Sequence, residues 1–143
     1  MLQKALETTS ADWIFHPGAD AIVTRPEESL QSLLWEAGSK DLIASHCSRF
    51  GMPLYHLFRV NEWTRAFVAR WWEIGPCHEH LWDAAAFAAA LRDPGVDDHV
   101  AWITPGRIAV YPGEWKPGDF LMHVGGHTSI AEKIRCMKEV FPQ

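Results

Sequence analysis

The sequence predicts an α/β domain in which helices flank a mostly parallel or mixed sheet. Short apolar runs typical of strands alternate along the chain with segments whose apolar residues recur at helical spacing. Hydrophobic residues make up 48% of the 143 residues, which is enough for a sizeable core. No repeat, low-complexity tract or long linker divides the chain, so we expect a single domain over residues 1–143.

The predicted elements follow from local sequence signals. Thr24 and Glu27 form a capping-box pattern that starts a helix ending at Gly38. Asn61 is a suitable cap for a helix with an apolar stripe at Trp63, Phe67, Trp71 and Ile74. In the last helix we expect Ile130, Ile134 and Met137 to face inward. Predicted helices cover 2–9, 24–38, 61–74, 78–91 and 129–141, and predicted strands 12–16, 41–45, 53–59, 100–103, 107–110 and 119–124.

Charge and composition exclude several classes of partner. The net charge is −5 and no run of Lys or Arg occurs, which argues against nucleic acid or an anionic membrane surface. No apolar stretch approaches the roughly 20 residues that a membrane helix needs. Cys47, Cys77 and Cys136 are odd in number and widely spaced, which fits reduced thiols in a cytoplasmic protein.

The segment 12–24 predicts a buried strand that runs into a loop with one carboxylate, Asp20, at its tip. Gly18 occupies the position two residues before Asp20, where a second carboxylate would complete an Asp-x-Asp pair. A hard cation needs several oxygen ligands and usually two carboxylates, so one Asp alone makes a poor metal site. Three further blocks follow in the chain, at 59–67 with Trp71-Trp72, at 82–87 and at 118–126.

Taken in this order, the four blocks resemble the galactosyl/xylosyltransferases of the mannan and xyloglucan type (glycosyltransferase family 34, GT-A fold). The block Gly118-Asp119-Phe120-Leu121-Met122-His123 is similar to the family's C-terminal Gly-Asp-Phe-x-x-His block. The resemblance covers nearly the whole chain and implies a truncated GT-A-like layered domain, equivalent to the C-terminal portion of that fold. The family has about a hundred residues before the metal motif and this chain has eleven before Asp12, so we expect the nucleotide-binding half to be missing.

The resemblance also implies roles for individual residues. Asp20 and His123 would be manganese ligands and would lie close together, and Asp83 would lie near the reacting sugar as a catalytic residue. Three departures count against this chemistry, because Gly18 replaces the first metal Asp, Ala84 replaces a Gln and Ala109 replaces an Asn. We therefore expect no resident cofactor, and at most weak manganese binding.

Each candidate residue also has a structural interpretation. Asp20 fits a turn, His123 a hydrogen-bonded core histidine, and Asp83 the first turn of a helix, where the helix dipole favours acidic residues. The segment Cys77-His78-Glu79-His80 has zinc-ligand chemistry but lacks a partner pair at a recognisable distance. Of the eight tryptophans, Trp115 in a Pro/Gly loop is the candidate for ligand contact, whereas Trp13, Trp63 and Trp71 are expected in the core.

The combined expectation is a degenerate glycosyltransferase-like protein that does not transfer sugar and acts as a binding module for a carbohydrate, another small molecule or a protein. The alternative is a metal-dependent transferase whose donor half is supplied by another chain. The resemblance places strand 12–16 at an open sheet edge. Because Trp13, Ile14 and Phe15 make this strand apolar on both faces, we also expect a homodimer.

Overall fold

The computed structural model describes residues 1–18, 20–46, 53–75, 82–104, 106–125 and 129–140. Two sheets are present in this part of the chain, one of four strands and one of two. The helices are α1 (Leu2–Thr8), α2 (Gln31–Ala37), α3 (Glu62–Ile74), α4 (Trp82–Ala90) and α5 (Ile130–Val140), with a 3₁₀ turn at Val96–His99. The strands are β1 (Trp13–His16), β2 (Ala21–Val23), β3 (Leu42–His46), β4 (Pro53–Arg59), β5 (Val100–Ile103) and β6 (Leu121–His123).

The larger sheet is mixed and has the strand order β1-β4-β3-β5. β4 pairs antiparallel with both β1 and β3, and β3 pairs parallel with β5. β1, β3 and β5 therefore run in the same direction, and their carboxyl ends meet at one edge of the sheet. The smaller sheet pairs β2 antiparallel with β6, with Ala21 opposite His123. This mixed α/β architecture confirms the predicted fold class.

The larger sheet has a hydrophobic core on each face, because alternate residues of its strands point to opposite sides. Along β4, Phe58 belongs to the first core and Leu57 to the second. β1 contributes Ile14 to the first core and Trp13 and Phe15 to the second, so the strand is apolar on both faces as predicted. The first core also contains Leu6 of α1, Phe67 of α3 and Phe87 of α4. The second core also contains Leu33 of α2, Leu121 of β6, and Ile108, which lies outside the strands.

The start of α3 confirms the predicted cap. The side-chain oxygen of Asn61 accepts the backbone N–H of Thr64 at 2.9 Å, and the Asn61 amide donates to Asp41 at 2.6 Å. Asp41 also lies 2.6 Å from Nδ1 of His99, whose ring stacks on Trp63. This network ties α3 to the amino end of β3, which is the edge of the sheet opposite the carboxyl ends of β1, β3 and β5.

The capping box predicted at Thr24 does not start a helix, and α2 begins at Gln31. The Thr24 hydroxyl donates to the carbonyl of Asp119, and Arg25 donates to the carbonyl of Gly118 at 3.3 Å. Glu27 lies 3.3 Å from the Arg25 guanidinium. Because these groups are engaged by a distant loop and by each other, the local capping bonds do not form.

Two further predictions from periodicity are wrong. The predicted strand 107–110 is reduced to one bridge between Val110 and Met122, because a turn with Gly106 at a φ of +85° occupies the residues before it. In α5 the side chains of Ile130 and Ile134 do not face inward, since they are 78% and 48% exposed. Met137, Cys136, Cys47 and the segment 77–80, which has zinc-ligand chemistry, lie outside the residues or side chains that the structure describes.

Candidate functional site

The candidate site lies at the edge of the sheet where β1, β3 and β5 have their carboxyl ends. In open α/β sheets, ligands bind in the crevice outside these ends. Asp20 follows β1 through a turn in which the N–H of Ala21 donates to the carbonyl of Gly18 at 3.1 Å. The N–H of Val124 donates to the Asp20 carbonyl at 2.9 Å, which fixes this turn against the end of β6.

Asp20 and His123 lie side by side at this edge. Oδ1 of Asp20 is 3.6 Å from Nδ1 of His123, and the two side chains are 36% and 12% exposed. The predicted proximity of the two residues is confirmed. Their role as metal ligands stays a prediction.

Two tyrosines hold the His123 ring in place. The Tyr55 hydroxyl is hydrogen-bonded to Nδ1 of His123, and the ring of Tyr111 packs edge-on at 5.1 Å. The bond to Tyr55 occupies Nδ1, the ring nitrogen that also lies 3.6 Å from Oδ1 of Asp20, and Nε2 is the other polar atom of the ring. Sequence reasoning missed both tyrosines because nothing local separates them from ordinary core residues.

Two glycines leave space around the Asp20 carboxylate. A Cβ on Gly125 would overlap Oδ2 of Asp20 and would stand 2.5 and 2.6 Å from Cε1 and Nε2 of His123. A Cβ on Gly18 would stand 2.9 Å from Oδ1 of Asp20, so a side chain at this position would point into the same space. Gly18 is not among the described glycines with positive φ, so its backbone does not require glycine.

Burial lowers the pKa of His123 below its ordinary value of 6.5. The negative charge of Asp20 opposes this shift, and the positive charge of Lys133 adds to it. The imidazole is therefore neutral at pH 7. The pair therefore presents the Asp20 side chain, which is 36% exposed, beside an uncharged ring.

The Asp20–His123 pair alone supplies fewer oxygen ligands than manganese favours. The described residues hold no cluster of three His, Cys, Asp or Glu side chains that could bind a metal. Mn²⁺ favours several oxygen ligands, and the Asp20–His123 pair supplies one carboxylate and one nitrogen. Gly18, the position from which a second carboxylate would reach the site, has no side chain to contribute.

Asp83 is not brought together with Asp20 and His123. It lies in the first turn of α4 on the first-core face of the sheet, where its carbonyl accepts the indole N–H of Trp71 at 3.0 Å. Burial lowers the pKa of His16, the last residue of β1, and the negative charge of the nearby Asp83 opposes this shift. Asp83 is therefore at the same sheet edge as Asp20 but on the opposite face.

Trp115 is half-buried and packs on Met122 and Val124. Its backbone N–H donates to the carbonyl of Tyr111 at 2.9 Å, so it is one turn away from a residue that contacts His123. Its indole Nε1 is buried and has no hydrogen-bond partner among the residues the structure describes. Its predicted contact with a ligand stays a prediction.

No helix in the described residues has both the length and the apolar character needed to cross a membrane. No protein-family model matches the chain, and no curated protein matches it in sequence.

Two solved structures share the fold at low sequence identity. A glycosyltransferase involved in the glycosylation of the major capsid of PBCV-1 matches with a TM-score of 0.71 and 12% identity, over 96% of this chain and 71% of that one. The glycosyltransferase GlyE of Streptococcus pneumoniae TIGR4 matches with a TM-score of 0.67 and 12% identity, over 99% of this chain and 43% of that one. The chain thus spans less than half the length of GlyE. These likenesses show that the protein has a glycosyltransferase-like fold.

Proposed function

We propose that the protein is a degenerate glycosyltransferase-like binding module that holds a sugar-containing ligand at the Asp20–His123 edge without transferring sugar. The observation that carries this proposal is the geometry around Gly18. Asp20 and His123, the retained pair, lie side by side. A side chain at position 18 would point into the same space, but Gly18 has none.

The charge of the site supports binding without transfer. In transfer from a nucleotide sugar, a divalent cation neutralises the developing charge of the diphosphate leaving group. Asp20 without such a cation repels a diphosphate, and the neutral His123 does not offset this charge; the positive charge of Lys133, which acts on His123, offsets it in part. An uncharged polyhydroxyl ligand fits better, since a carboxylate accepts hydrogen bonds from hydroxyl groups and the imidazole Nε2 adds one more polar contact.

The finer assignment, to the C-terminal portion of a family 34 GT-A fold, is part of the same proposal. It is supported by the four sequence blocks and by the proximity of Asp20 to His123. In this assignment Trp115 contacts the ligand and Asp83 has lost its catalytic role. No resident cofactor is proposed, and any manganese binding is weak. A cytoplasmic location remains a prediction from the cysteine pattern.

The second candidate is a metal-dependent glycosyltransferase whose donor half is supplied by another chain. The observation that favours it is the position of β1, which among the described residues has β4 on one side and no strand on the other. Such an edge has unpaired backbone groups that a further strand can pair with. The same edge accounts for the predicted homodimer, in which the strand comes from a second copy.

Thermal unfolding with two ligand panels separates the two candidates. One panel contains nucleotide sugars with manganese, and the other contains free sugars and glycosides with a chelator. A ligand at a hundred times its dissociation constant stabilises the folded state by about 2.7 kcal/mol, which is a readily measured shift in melting temperature. We expect shifts with the second panel and none with the first.

Two variants make this assay specific to the site. Asp20→Asn removes the charge of the site and should reduce the shift, whereas Asp97→Asn removes an exposed carboxylate elsewhere and should leave it unchanged. Stabilisation by manganese with a nucleotide sugar, together with release of the nucleotide, would support the transferase instead. The binding proposal fails if neither panel shifts the melting temperature.

A further inference from the structure

A groove of about 670 Å³ lies on the first-core face of the sheet, between α1, α3 and α4. Its volume falls within the range of small-molecule sites. Its walls include the indoles of Trp71 and Trp72 and the aliphatic side chains of Leu2 and Val68. Trp72 is 76% exposed, so a large apolar ring faces solvent at this groove.

The groove has a polar end, formed by His16 and Asp83. Trp71 donates its indole N–H to the carbonyl of Asp83, so it presents the groove with its apolar ring rather than with a free polar group. Burial lowers the pKa of His16, and this histidine is uncharged at pH 7. The described lining of the groove therefore changes from aromatic and aliphatic walls to an end with His16 and the Asp83 carboxylate, and Gln3 and Met1 also line it.

This polar end is at the same edge of the sheet as the Asp20–His123 pair. His16 precedes Asp20 by four residues, a separation that the chain can span with at most about 14 Å. Across the sheet His16 is opposite His56, and the next residue of β4 is Tyr55, which holds the His123 ring. The polar end of the groove and the Asp20–His123 pair are therefore connected through neighbouring residues of β1 and β4 at one edge of the sheet.

We propose that the groove binds the alkyl or aryl group of an amphiphilic glycoside whose sugar lies at Asp20 and His123. This inference rests on the proposed function and names the class of ligand that the site takes. A purely polar glycan leaves the indoles and aliphatic walls uncovered, whereas a purely apolar ligand makes no use of the hydrogen-bonding groups at the edge. Only a molecule with both an apolar group and a sugar matches the change from the apolar wall at Trp72 to the polar edge at Asp20.

A series of alkyl glycosides tests the proposal. The probes are methyl, butyl, hexyl and octyl β-glucosides and β-galactosides, titrated calorimetrically below their micelle concentrations in the presence of a chelator. Each methylene that enters the groove should tighten binding about fourfold, until the groove is filled. For the longer probes, Asp20→Asn should weaken binding by a constant factor without changing the dependence on chain length.

Two exposed tryptophans provide a matched pair of variants. Trp72→Ala removes a groove wall and should flatten the dependence on chain length. Trp35→Ala removes an indole that is 83% exposed on α2, outside the groove, and should leave the dependence unchanged. Because both indoles are exposed, neither change should prevent folding.

The outcomes separate this proposal from the one it rests on. If the methyl glycosides bind and longer chains bind no better, the groove proposal is overturned and the sugar site stands. If no glycoside binds, both proposals fail, even where a plain alcohol such as octanol occupies the groove. Equal loss of the chain-length dependence in the Trp72→Ala and Trp35→Ala variants would also overturn the groove proposal, because the contact would then be nonspecific.

Discussion

The substitution Gly125→Ala tests the geometry of the site in the absence of any ligand. The added Cβ would overlap Oδ2 of Asp20 and would stand 2.5 and 2.6 Å from two atoms of the His123 ring. Both distances are far below ordinary van der Waals contact, so Asp20 and His123 must move. His123 is 12% exposed and held by Tyr55, which limits how far it can shift.

Forced overpacking of this kind costs about 1–3 kcal/mol. For a domain of 143 residues, we expect the melting temperature to fall by about 3–12 °C, measured by calorimetry or circular dichroism. Gly113→Ala is the matched control, because a Cβ there meets no described atom within 4 Å and Gly113 is not among the glycines with positive φ. This control should change the melting temperature by no more than about 2 °C.

A double-mutant cycle identifies the residue that resists the new methyl group. In an Asp20→Ala background the overlapping oxygen is gone, so Gly125→Ala should cost less there than in the wild type. A Gly125→Ala variant as stable as the Gly113→Ala control would refute the close approach of Asp20 and His123 to Gly125. A cost that is unchanged in the Asp20→Ala background would show that the His123 ring alone causes the strain.

The remaining predictions concern metal affinity, pH dependence, the α3 cap and assembly. Calorimetry should find manganese binding weaker than micromolar in the wild type and tighter in Gly18→Asp, since the backbone there does not require glycine; an unchanged affinity in the variant would contradict this. Because burial lowers the pKa of His16 from 6.5, the unfolded state binds more protons as the pH falls below about 6.5. The free energy of unfolding should therefore drop in this pH range, and it should drop less in the His16→Phe variant. If the free energy of unfolding of the two proteins fell equally with pH, the assignment to His16 would be refuted. Asn61→Ala should lower the free energy of unfolding, measured with denaturant, by about 1–3 kcal/mol, because the helix cap and the bond to Asp41 are both lost. A decrease below about 0.5 kcal/mol would count against both bonds. Light scattering should find a homodimer at high micromolar concentration, and a monomer would count against pairing through β1.

The fold class and the proximity of Asp20 to His123 were predictable from the sequence. Alternating apolar runs indicated the α/β layers, and the cap at Asn61 depends on a neighbour three residues away. The proximity of Asp20 and His123 could not come from periodicity, since the two residues are 103 positions apart. It came from the resemblance of two separate blocks to one family.

The errors arose where distant contacts override local signals. Thr24 had a complete capping-box pattern, but its hydroxyl bonds to Asp119 across the domain. Ile130 and Ile134 have the spacing of a buried helix face and are nevertheless exposed. Tyr55 gave no signal, because the sequence of β4 does not reveal which side of the sheet holds His123.

An NMR titration of the isotope-labelled protein with glycosides in the presence of a chelator tests directly whether the Asp20–His123 edge binds sugar without transferring it. We expect shifts of the amide signals of Ala21, Val124 and Gly125, which flank the Asp20–His123 pair, with the added glycoside remaining chemically intact. The claim would be contradicted if these signals stayed unchanged with every glycoside and moved only when manganese and a nucleotide sugar were added and the nucleotide sugar was consumed.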